Sequence, residues 1–138
     1  MEGMMRNNKT FVETIEVRWG DMDALGHVNN AQYFRYMEQA RISWMTRLRP
    51  DIFHAEEGPI LVTARCHFMR PIVYPASLAV SCAAGELKRS SFPVFHEIKL
   101  ADDPSVKFAE GEVTIVWVNY KLGKSVPLPD WIRAACET

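Results

Sequence analysis

The chain has 138 residues, 48% of them hydrophobic and 24% charged, which suits one globular domain over residues 1–138 that buries a core without staples. Sixteen basic against seventeen acidic residues leave a net charge of −1. That balance excludes a polyanion such as nucleic acid as the main ligand, though a small local patch for a phosphorylated group remains open.

Met1 to Lys9 is polar, with no apolar stretch of secretory-signal type, and is expected to be frayed. Thr10 to Trp19 alternates, with Phe11, Thr14 or Ile15, Val17 and Trp19 between charged residues, as in a half-buried strand. Gly20 to Asn30, GDMDALGHVNN, is rich in turn-forming Gly, Asp and Asn. It reads as a loop ending in a helix cap, with Asn29 or Asn30 supplying the capping oxygen. A helix is predicted from Asn30 to Arg47, where Tyr33, Phe34, Met37, Ala40, Trp44, Met45 and Leu48 recur at three- and four-residue spacing. Pro50 stops it.

Asp51 to Pro59 reads as a loop with one helical turn. Four strands are predicted after it: Ile60 to Pro71, Leu78 to Leu87, Phe92 to Leu100 and Val106 to Val118. Ser90-Ser91 marks one hairpin and Asp102 to Ser105 another turn. Short connections between strands imply antiparallel pairing. One long helix beside five such strands must bury its apolar face on the sheet, an α+β fold. No apolar run nears the ~20 residues of a membrane span. Cys66, Cys82 and Cys136 are odd in number and lack CxxC spacing, which points to reduced thiols in a cytoplasmic protein.

Chemistry concentrates in Asp21, Asp23, His27, Asn29 and Asn30, between a strand end and a helix start. A helix N-terminus offers unpaired N–H groups and partial positive charge, which suit a polarised carbonyl or an oxyanion. A carboxylate just before that terminus can act on the adjacent carbon. Acyl transfer needs such a pair.

The run VRWGDMDALGHVNNAQYFRYMEQAR, Val17 to Arg41, resembles the signature of the 4-hydroxybenzoyl-CoA thioesterase family of hotdog-fold acyl-CoA thioesterases. Its parts are W-G-D-x-D, then G-x-V-N-N, then Y-x-x-Y-x-E-x-A-R. RPIVYPASL resembles the family's turn between its second and third strands, and the likeness extends roughly from Phe11 to Val118. The resemblance implies a hotdog fold, a five-stranded antiparallel sheet wrapped around one long helix. It implies hydrolysis of an acyl-thioester to a free acid and CoA. Asp23 becomes the catalytic carboxylate, as nucleophile or general base, and the Asn30 backbone N–H the oxyanion donor. Asp21 becomes a structural residue.

His27, Asn29 and Tyr33 are expected to shape the substrate pocket, and Lys88, Arg89, Ser90 and Ser91 to meet the coenzyme's phosphates from their hairpin. No metal or redox cofactor is implied, since coenzyme A enters as part of the substrate. The family also implies a homo-oligomer, a dimer or a dimer of dimers paired through the Ile60 to Pro71 edge, with the active site between subunits.

Plainer readings stand beside these. Two Asp in a Gly- and Asn-rich turn are ordinarily caps. Asp21, Asp23 and His27 make a weak metal set without a distant fourth ligand. Glu38, a rival carboxylate, reads as the ion-pair partner of Arg41 or of a strand group. His96, in phase with Val94, Ile98 and Leu100, reads as a satisfied core histidine. Arg65, His67 and Arg70 share one face of their strand, opposite Cys66 and Phe68, at an interface or a pocket mouth. The alternative in another class is a hotdog domain that binds acyl-CoA or an acyl carrier protein without turning it over. No strand-borne His with an acidic partner matches a hotdog dehydratase.

Overall fold

The structure, a computed structural model, describes residues 10–137, so the expectation for Met1 to Lys9 lies outside the described residues. Strand β1 (Thr10–Glu16) leads through a 3-10 turn at Trp19–Asp21 to helix α1 (Asn30–Leu48). Strands β2 (Glu57–Phe68), β3 (Ser77–Ala84), β4 (Ser91–Leu100) and β5 (Asp103–Asn119) follow. A two-residue strand, β6 (Lys124–Ser125), and a short helix, α2 (Asp130–Cys136), complete the elements of the described residues. The long strands pair antiparallel in the order β1–β3–β4–β5–β2, and β6 adds to the end of β5.

Alternation along the strands builds the core. Leu78, Val80 and Cys82 of β3, Phe92, Val94 and Ile98 of β4, and Ala109, Val113, Ile115 and Trp117 of β5 are buried. Helix α1 lays Tyr33, Met37, Ala40 and Met45 on that face. Each such large apolar side chain contributes about 1.5–3 kcal/mol when fully buried. Gly111 lets the helix come close, because a Cβ there would overlap the Met37 sulfur. This is the hotdog arrangement that the motif implied, with one long helix against a curled antiparallel sheet.

Several boundaries differ from expectation. Strand β2 ends at Phe68 rather than Pro71, since the N–H groups of Met69 and Arg70 both turn to the Phe108 carbonyl. Strand β3 stops at Ala84 rather than Leu87, and the Gly85 N–H closes on the Pro93 carbonyl. The turn expected over Asp102 to Ser105 is tighter, because Asp103 already pairs with Leu100. Trp19 is not part of the buried row of β1; it is 78% exposed on the 3-10 turn. On α1 the stripe missed Tyr36 and Arg41, both buried, while Leu48 is exposed. Helix α2 was not anticipated, although Pro129-Asp130 ahead of Trp131 and Ile132 is a start signal with an apolar face. Trp131 packs edge-on against Trp117, with ring centroids 5.6 Å apart.

The two sheet edges differ. Strand β2 runs 12 residues along one edge and exposes Ile60, Leu61, Val62 and Phe68. Edge strands of that length and apolarity are ordinarily paired or covered.

Candidate active site

The segment between β1 and α1 is anchored through Asp21. Its carboxylate is buried, accepting the Arg18 N–H at 3.0 Å and the Tyr36 hydroxyl at 2.8 Å through Oδ2. Its carbonyl accepts the Asn29 N–H at 2.9 Å. Burial, and next the hydrogen bond to Asp21, raise the Tyr36 pKa well above its ordinary value, so the phenol stays a donor. Asp21 is the structural member of the pair, as its motif position implied.

Asp23 lies two residues on, partly exposed. Its Oδ1 accepts the Leu25 N–H at 2.9 Å and, more weakly, the His27 N–H at 3.4 Å, an Asx-type turn closed by the Asp23 N–H on the His27 carbonyl at 2.8 Å. Oδ2 accepts nothing among the described residues. The αL residue Gly26, with φ 82°, closes the turn at no steric cost.

Asn29 caps α1, its side-chain oxygen taking the Ala31 N–H at 2.9 Å. That leaves the Asn30 N–H, at the helix's positive end, without an acceptor among the described residues.

Asp23, His27, Asn30, Tyr33, Phe68 and Arg70 border one cavity of about 320 Å³. Four of the residues singled out from sequence thus meet there. Tyr33 forms a fixed wall: its hydroxyl donates to the Arg70 carbonyl and accepts the Ile72 N–H, both at 3.2 Å, and its ring meets Phe68 edge-on at 4.9 Å. Among the described residues the His27 ring makes no bond to Asp23; only its backbone does. Arg70 was expected at an interface or a pocket mouth, and it borders this cavity; Phe68, expected on the opposite face of the strand, borders it too. Their approach to Asp23 depends on where β2 ends.

The other half of the expected site is not adjacent within one chain. Lys88, Arg89, Ser90 and Ser91 lie at the β3–β4 hairpin, whereas Asp23 sits near the start of β3, where Val17 meets Ala76. The eight residues of β3 separate the two ends by about 25 Å. The hairpin is tied instead to the C-terminal segment: Arg133 donates to the Lys88 carbonyl at 2.8 Å, and the Leu128 N–H to that of Arg89 at 2.8 Å.

One further expectation is corrected. Glu38 pairs with Arg35 at 3.0 Å on the solvent face, not with Arg41. Arg41 instead points inward, and its Nη1 donates to Nε2 of His96 at 3.1 Å. The Nδ1 of His96 lies 2.9 Å from the Ser81 carbonyl, which fixes the proton there and leaves Nε2 as acceptor. Burial, then the Arg41 charge, push the His96 pKa down to about 3. His96 is the satisfied core histidine that its phase suggested. Among the described residues no His, Cys, Asp and Glu group has metal-holding geometry.

A curled antiparallel sheet carrying one long helix, entered through a loop that holds Asp21 and Asp23, defines a hotdog-fold protein. The chain belongs to the thioesterase-like superfamily, whose family model matches residues 17–136, and it is a thioester hydrolase. A Pseudomonas aeruginosa protein proposed to be a thioesterase is 42% identical and superposes with a TM-score of 0.87, over 91% of this chain and 96% of that one. A gentisyl-coenzyme A thioesterase structure is 27% identical with a TM-score of 0.79, over 90% and 98%. The long-chain acyl-CoA thioesterase FadM of Escherichia coli is 27% identical over 89% of this chain and 94% of its own length.

Proposed function

We propose that the protein is an acyl-CoA thioesterase in which Asp23 and the Asn30 N–H carry the reaction. The observation behind this is their meeting in one cavity, with neither the Asp23 Oδ2 nor the Asn30 N–H engaged among the described residues. The thioester oxygen accepts the Asn30 N–H, which stabilises charge as the carbonyl becomes tetrahedral. Asp23 either takes a proton from the attacking water and returns it to the departing thiolate, or attacks the carbon itself to give an anhydride that water then opens. Both routes consume one water and release one acid and one thiol. Neither needs a metal or redox group, and coenzyme A enters only as part of the substrate.

The exposed β2 edge supports a homodimer, with a dimer of dimers as its extension. Antiparallel pairing of two β2 strands about a twofold axis sets the Phe68 end of one copy beside the Glu57 end of the other. The β3–β4 hairpin lies at that second end, since Ser91 pairs with Val116 and Gly58 with Val118. Lys88, Arg89, Ser90 and Ser91 of one copy then reach toward the Asp23 cavity of the other, where cations and N–H groups suit the coenzyme's phosphates. Cys66 and Cys82 are thiols rather than disulfide partners, which fits a cytoplasmic setting. No helix among the described residues is long and apolar enough to cross a membrane.

Thiol release from a panel of aliphatic and aromatic acyl-CoA esters, with acyl-carrier-protein esters alongside, tests this reading. Turnover on at least one coenzyme A ester is expected. Thiol release only from carrier-protein esters, or from none, contradicts it.

A further inference from the structure

Asp23 borders a second hollow besides the Asn30 cavity, and it is the one residue lining both. This hollow, of about 420 Å³, is formed by Trp19, Gly20, Met22, Ala24, Gly26 and Tyr74, and apart from Asp23 no charged side chain among the described residues lines it. The Asn30 cavity is more polar, with His27, Asn30 and Arg70 bordering it beside apolar neighbours such as Leu25, Phe68 and Met69. A thioester has two arms that leave its carbonyl carbon in different directions. A group acting on that carbon must stand where they diverge.

Resting on the reading in which Asp23 acts on a thioester, we infer that the acyl arm occupies the Trp19–Tyr74 hollow and the thiol arm the Asn30 cavity. The amide-bearing thiol arm finds polar partners in the latter. The hollow offers mainly aromatic and thioether surface, from Trp19, Tyr74 and Met22. Its selectivity follows: uncharged, apolar acyl groups are accepted, and an acyl group ending in a second carboxylate is rejected. Such a carboxylate meets no cation there and is repelled by Asp23.

The placing of Trp19 carries independent weight. Its ring is 78% exposed, although the turn bearing it is fixed. The Arg18 and Asp21 N–H groups bond across the turn at 3.0 and 2.9 Å, and Tyr36 holds the Asp21 carboxylate from α1. An indole presented to water by a rigid, hydrogen-bonded turn beside an acid is surface ready for an apolar ligand.

Calorimetric titration with S-alkyl-CoA thioethers, which have no carbonyl to hydrolyse, tests the assignment. Ethyl, butyl, octyl and 7-carboxyheptyl thioethers are titrated into the parent, Trp19→Ala, Tyr74→Ala, Trp19→Phe and Phe68→Ala. In the parent, octyl is expected to bind at least about tenfold tighter than ethyl, and carboxyheptyl at least about tenfold weaker than octyl. Trp19→Ala and Tyr74→Ala should shrink the octyl-to-ethyl ratio to about threefold or less, and Trp19→Phe should restore most of it. Phe68→Ala, in the other cavity, should weaken all thioethers alike.

A ratio unchanged by Trp19→Ala and Tyr74→Ala, or abolished only by Phe68→Ala, overturns the assignment. If the length ratio behaves as expected but no acyl-CoA ester of the panel is hydrolysed, the hydrolytic role of Asp23 falls and the acyl-arm assignment stands. Absence of binding by every thioether overturns both.

Discussion

Asp21 and Asp23 differ in what their oxygens can still accept. Asp21 is buried, with Oδ2 taken by Arg18 and Tyr36. Asp23, partly exposed at the border of the cavity, has no donor to Oδ2 among the described residues. Asp21→Asn should therefore lower stability by about 1–3 kcal/mol, through loss of bonds to a charged acceptor, while turnover per folded molecule holds. Urea unfolding together with an activity titration checks this, and unchanged stability would contradict it. His96 gives a second test. Its folded-state pKa, near 3, lies below its ordinary 6.5, so between these values the unfolded chain binds more protons. This contribution to stability is intact above about pH 6.5 and is lost as pH falls toward 3, by up to about 1.4 kcal/mol per unit. His96→Gln keeps an acceptor for Arg41 but no titrating ring. Its unfolding free energy should fall less steeply between pH 6 and pH 4 than the parent's, and equal slopes would contradict the assignment. In sequence, the acid–turn–amide order of Asp23 and Asn30 was legible because a loop and a helix cap are local features. The inward turn of Arg41 was not, because a charged residue on a helix ordinarily pairs along its own surface, and only β4 supplies His96.

Helix α1 begins where it does because Asn29 satisfies the Ala31 N–H. Asn29→Ala should cost about 1 kcal/mol of stability, readable as a lower denaturant midpoint; a neutral effect would remove Asn29 as the cap. The helix was predictable from its apolar spacing, since its length gives the period room to repeat. The strands were legible in number, but their ends were not, because sheet ends are set by partners distant in sequence. The Phe108 carbonyl draws away Met69 and Arg70, and so decides where β2 stops and what borders the Asp23 cavity. Helix α2 is not legible in the sequence because seven residues allow too few turns for a clear period.

At the scale of the whole molecule, the open β2 edge and the distance between Asp23 and the Lys88–Ser91 hairpin call for the same remedy, a second copy. Light scattering should give at least twice the 15.8 kDa chain mass at micromolar concentration. Ile60→Lys with Leu61→Lys, which charges the exposed edge, should shift the protein toward monomer and reduce turnover. A parent that is monomeric and fully active would contradict this. Neither chain partner nor hairpin distance could be read from spacing alone; the resemblance supplied the first, and the register of β3 exposed the second. The central claim is that the Asp23 carboxylate performs the hydrolysis, and Asp23→Asn addresses it most directly. The substitution keeps Oδ1 for the Leu25 N–H, so the turn and the melting temperature should survive. Steady-state turnover on an accepted acyl-CoA should fall by about 10²–10⁴ with binding of the matching thioether retained; turnover near the parent's would contradict the account.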